Sequence, residues 1–69
     1  MVYFTEVRPT AHYLEEHSRE VPFPLALAII AGTKNPRKKG TIFEIDRNGY
    51  YIVFEIRGTV LYLINAKKR

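Results

Sequence analysis

Two short glycine turns govern how the second half of this chain can fold. Asn48-Gly49, preceded by Arg47, parts residues 41–46 from 50–56, and Arg57-Gly58 parts the latter from 60–64. Asn-Gly flanked by alternating hydrophobic residues is the strongest short hairpin signal, because both turn residues take positive φ readily. The first run places Phe43 and Ile45 on one side of a strand and Ile42, Glu44 and Asp46 on the other. The second places Tyr50, Ile52, Phe54 and Ile56 opposite Tyr51, Val53 and Glu55. The third, Val60-Leu61-Tyr62-Leu63-Ile64, is apolar without alternation, as in a central strand covered on both faces. An antiparallel meander follows. The cluster Lys67-Lys68-Arg69 beyond it reads as a frayed tail.

The first half reads differently. Residues 2–7 are β-branched and aromatic and form a first strand closed by Pro9, able to add to an edge of the meander. Thr10 is an N-cap candidate for a helix over 11–21, with Ala11, Leu14, Ser18 and Val21 toward a core and Glu15, Glu16, Arg19 and Glu20 toward water. Pro22 stops it. Pro24 suits the first turn of a second helix, whose residues 25–31 carry no polar side chain on any face. Such a helix needs cover on most sides, so it is placed centrally against the sheet, with Gly32 as its left-handed C-terminal residue. Residues 33–40 form a basic loop bracketed by turn formers. The order is β-α-α-β-β-β. The expected fold is α+β and two-layered: one domain over 1–69, an antiparallel sheet with both helices packed on one face.

Sixty-nine residues bury roughly 60% of their unfolded surface, so a fold of this size is marginal on its own. There are no cysteines, which removes disulfides and thiolate metal sites and fits a cytoplasmic location. The longest apolar run, 25–31, is far below the roughly 20 residues of a membrane span. Charge is divided along the chain. Residues 1–33 carry two Lys or Arg against four acids, whereas 34–69 carry nine against three, a balance of +6. That asymmetry points to a polyanion, to an acidic protein partner, or equally to solubility alone.

Among reactive groupings, a metal centre is not expected: His12 and His17 lie about 140° apart around a helix, and His12 with Glu16 supplies two ligands at most. No cofactor motif is present, since the four glycines sit singly at turns, and Ser18 has no nucleophile elbow around it. His17 reads as a packing residue. What remains is chemistry on a phosphodiester, where a base, an acid and cations can cleave RNA without metal. Nucleic-acid candidates are Lys34, Arg37, Lys38, Lys39, Arg47, Lys68 and one of Tyr50 and Tyr51, whose side chains fall on opposite faces; Tyr51 is the one assigned.

Taken together, "TAHYLEEHSREVP", "FPLALAII", "KNPRKKG" and "LYLINAKKR" resemble the small BrnT-like and RelE-like proteins of the barnase–EndoU–colicin–RelE nuclease fold, over residues 10–68. The resemblance implies a metal-independent endoribonuclease or RNA-binding toxin of a toxin–antitoxin pair, cytoplasmic and covered by an antitoxin. Carried over by position, His12 matches the His at the head of the first helix, Arg19 lies near the basic position later in it, and Asn65 is the polar residue ending the last strand, with Lys67 just beyond. In the mechanism expected from this layout His12 is the general base or acid, and Arg19, Arg57 and Lys67 neutralise the phosphate. The alternative is a non-catalytic basic module that holds nucleic acid or a partner protein. In either case the apolar second helix suggests a homodimer.

Overall fold

A computed structural model describes residues 4–16 and 19–69. The chain is α+β, with a five-stranded mixed sheet and two helices. In sequence order the elements are β1 (Glu6–Pro9), α1 (Ala11–Glu16), α2 (Phe23–Gly32), β2 (Arg37–Lys39), β3 (Ile42–Arg47), β4 (Tyr50–Arg57) and β5 (Val60–Lys68). The sheet order is β1-β5-β4-β3-β2. β1 runs parallel to β5 and the other neighbours are antiparallel. The expected meander is β3-β4-β5. At its first turn Asn48 and Gly49 both have positive φ, 54° and 81°, which is the type I′ geometry that Asn-Gly favours.

Five strands rather than four is the main departure. Arg37, Lys38 and Lys39, expected in a loop, pair with Glu44, Phe43 and Ile42 as an edge strand. All three are exposed and charged, so no apolar alternation marks them; charged, short edges are how sheets discourage further pairing. The first strand also shifts. Val2 and Tyr3 lie outside the described residues, and β1 instead pairs Glu6–Pro9 with Val60, Leu61, Tyr62 and Leu63.

The expected frayed tail, Lys67-Lys68-Arg69, is instead held: Lys67 and Lys68 belong to β5. β5 carries a bulge at Ile64: Phe54 faces Leu63, and the next pair is Val53 with Asn65. One extra residue reverses the side-chain phase. Leu61 and Leu63 enter the core before the bulge and Ala66 after it, so Lys67 lies on the other face, opposite Tyr51. The strand end is tied on both sides. The Arg69 N–H donates to the Gly49 carbonyl at 2.7 Å, and the Lys68 N–H donates to the Glu20 carboxylate at 2.6 Å.

The core comprises Ile45, Ile52, Phe54, Leu61, Leu63 and Ala66 of the sheet with Tyr13, Val21, Ala26 and Ile30. Thr10 caps α1 as expected: its hydroxyl accepts from the Tyr13 N–H at 3.3 Å and donates to the Leu63 carbonyl at 2.8 Å. The buried face of α1 is not the expected one. Tyr13 is buried, Ala11 is exposed, and Leu14 is 52% exposed. The described helix ends at Glu16, so a period extrapolated to residue 21 does not apply, and the large Tyr13 ring sets the phase. His17 and Ser18 lie outside the described residues. In α2 only Ala26 and Ile30 are buried, while Leu25, Ala28 and Ala31 are exposed; the helix is covered on one side, not most. Gly32 belongs to its last turn. Thr33 is the cap, with φ −101°, and its hydroxyl donates to the Ile29 carbonyl at 2.7 Å.

Candidate nucleic-acid interface

Side chains alternate across a strand, so the neighbours of the core residues Ile45, Ile52 and Ala66 face away from the core. These are Glu44 and Asp46 on β3, Tyr51 on β4 and Lys67 on β5. They form part of a broad groove of about 1020 Å³. Arg37 and Lys39 of β2 flank it on one side, with Thr33 and Asn35 of the α2–β2 connection; Lys67, Lys68 and Arg69 flank it on the other, and Arg47 closes one end. Six cationic side chains therefore meet two carboxylates in one concavity. β2 and β5 are three strand spacings apart, about 14 Å, which sets the distance between the two basic flanks.

Tyr51 is the centre of this arrangement. Its hydroxyl donates to the Glu44 carboxylate at 2.7 Å, a diagonal contact across β3 and β4. The Arg69 guanidinium lies 5.0 Å from the ring centroid and the Lys67 ammonium 5.7 Å from it, both within cation–π range. Arg69 also pairs with Asp46 at 3.0 Å. The hydrogen bond to Glu44, then burial and the charge of Glu44, push the Tyr51 hydroxyl above the ordinary tyrosine range, with Arg69 opposing and Asp46 adding. At neutral pH Tyr51 is thus a protonated donor and an aromatic surface, not a base.

The groove collects Arg37, Lys39, Arg47, Tyr51 and Lys68 of the expected nucleic-acid set, and Lys67 of the expected catalytic set. Lys34 and Lys38 do not line it. Lys38 sits opposite Phe43 with its ammonium 5.7 Å from that ring, on the core side of the sheet. Arg47 is partly committed, donating to the Gly32 carbonyl at 2.7 Å. Tyr50 packs against the core, leaving Tyr51 as the tyrosine of the pair that faces the groove.

The expected catalytic residues do not converge. His12 is exposed on α1, beside the core residue Tyr13, and does not line the groove. Arg19 is exposed after α1 and does not line it either. Arg57 pairs with Glu55 at 3.1 Å and lies 5.5 Å from the Tyr62 ring, at the β4–β5 turn. Lys67 is opposite Tyr51, six residues back along β4, or about 20 Å away. Asn65 stands opposite Val53 beside the bulge, with its Oδ1 buried and without a hydrogen-bond partner. Among the described residues no three His, Asp or Glu side chains stand together as a metal site.

Sequence reasoning missed Arg69, Asn35 and the two groove carboxylates. Arg69 reads in the sequence as part of a fraying tail, and Glu44 and Asp46 gain meaning only through cross-strand register. No family model matches the chain, and no curated protein or solved structure matches it either.

Proposed function

We propose that this chain is a non-catalytic binding domain for a single-stranded polynucleotide, held in the groove over β2–β5. The observation that carries the reading is the convergence of six cations on a groove whose floor presents one tyrosine. Cations along a groove track a phosphate backbone without reading sequence, and an aromatic floor stacks exposed bases. The two carboxylates favour a single strand over a duplex. They repel phosphates from the floor and keep the backbone on the basic flanks, so what reaches Tyr51 is a base, and a duplex keeps its bases stacked inside.

The ribonuclease reading requires His12 to share a concavity with Lys67 and Arg57. Arg57 and Lys67 stand at opposite ends of the β4–β5 pair and His12 does not line the groove, so the proposal assigns no cleavage step. Fluorescence anisotropy with labelled oligouridylate, oligothymidylate and a duplex of the same length tests the binding. Single strands are expected to bind more tightly than duplex at equal salt, and the RNA and DNA arms separate the two sources of single strand. Equal affinity for duplex overturns the proposal. RNA recovered intact after prolonged incubation in EDTA is the expected companion result; cleavage lost in His12→Ala would reinstate the enzyme.

A further inference from the structure

Deepening that reading, and resting on it, we propose that Arg69 and Asp46 form a displaceable gate over the base-stacking surface of Tyr51. The guanidinium lies over the ring, 5.0 Å from its centroid, and pairs with Asp46 at 3.0 Å. A nucleobase stacking on that side of the ring takes the place of the guanidinium, which is then free to meet a phosphate.

The magnitudes favour opening. Both partners of the pair are about half exposed, 52% and 55%, and an exposed ion pair is worth at most about fivefold in an equilibrium. The exposed cation–π contact of the displaced guanidinium adds about two- to fivefold to that cost, and stacking one base on an aromatic side chain is worth about five- to 150-fold. The ring itself stays in place, because the Tyr51 hydroxyl is bound to Glu44 and its strand is paired on both sides. The movable part is thus the Arg69 side chain, one residue beyond β5, its backbone held by the Gly49 carbonyl. Asp46 sets how much of the stacking energy is spent on displacing it.

The test is the ratio of affinities for oligouridylate and for an abasic oligomer of equal length. Asp46→Asn is expected to raise this ratio by about three- to fivefold, because only a base competes with Arg69 for the ring. Glu15→Gln changes net charge by the same amount on an exposed helix position outside the groove, and is expected to leave the ratio unchanged. If Asp46→Asn strengthens both ligands equally, its effect is charge alone and the gate is overturned. If wild-type protein binds oligouridylate no better than duplex, the groove reading fails first, which is a separate result.

Discussion

Tyr13 shows how one side chain ties sequence to packing. Its ring is fully buried and its hydroxyl donates to the Val21 carbonyl at 2.5 Å, bridging α1 to the segment that leads into α2. Tyr13→Phe keeps the ring and leaves a buried carbonyl short of a donor, so it is expected to cost about 1–3 kcal/mol in urea unfolding. Burial also raises the Tyr13 hydroxyl above its ordinary value of 10.0, and Tyr51 is raised too, through Glu44. The folded state therefore holds these protons more tightly than the unfolded chain. Stability is level below the ordinary tyrosine value and falls as pH rises through the folded one. Thermal melts across the alkaline range, with phenolate absorbance followed in parallel, should show this decline. It should be smaller in Tyr13→Phe. At Tyr51 the two substitutions separate roles: Tyr51→Phe retains the stacking surface, whereas Tyr51→Ala is expected to weaken oligouridylate binding by about five- to 150-fold.

At the scale of elements, the hairpins were readable because their turns carry local instructions. Asn48-Gly49 and Gly58 sit where positive φ is required, and residues 41–46 and 50–56 beside them are strand-length runs rich in β-branched and aromatic residues with their acids confined to one face. β2 was not readable, since an edge strand of Arg-Lys-Lys leaves no hydrophobic trace. The far half of β5 was hidden by the bulge at Ile64. Continued in the phase of Leu61 and Leu63, the sequence would send Asn65 and Lys67 into the core; the extra residue turns them out and brings Ala66 in. Asn65 bears the cost of this device. Its Oδ1 is buried without a partner, which is unfavourable by about 1–3 kcal/mol. Asn65→Val, a β-branched residue opposite Val53, is expected to stabilise the domain by about 1 kcal/mol and to leave oligonucleotide affinity unchanged. A gain in urea midpoint accompanied by lost binding would return Asn65 to the site.

Across the whole molecule, the first and last strands pair in parallel at one edge of the sheet, Glu6–Pro9 beside Val60–Leu63. The basic character of residues 34–69 was plain in the sequence, but its division between faces was not. Lys38 and Arg37 are adjacent, yet only Arg37 reaches the groove; Arg57 and Lys67 belong to one strand pair, yet stand at opposite ends of it. Salt dependence measures that division directly. Arg37, Lys39, Lys67 and Lys68 line the groove and form no ion pair with an acid among the described residues. A single strand that meets these four cations should release counterions with a log–log slope of about −3 against salt concentration. Lys67→Gln should flatten that slope by about 0.7, and Lys34→Gln and Lys38→Gln should barely change it. A slope near zero would mean that no phosphate is neutralised, against polyanion binding altogether, and one that Lys34→Gln and Lys38→Gln flatten as much as Arg37→Gln and Lys39→Gln do would put the polyanion on another face of the protein.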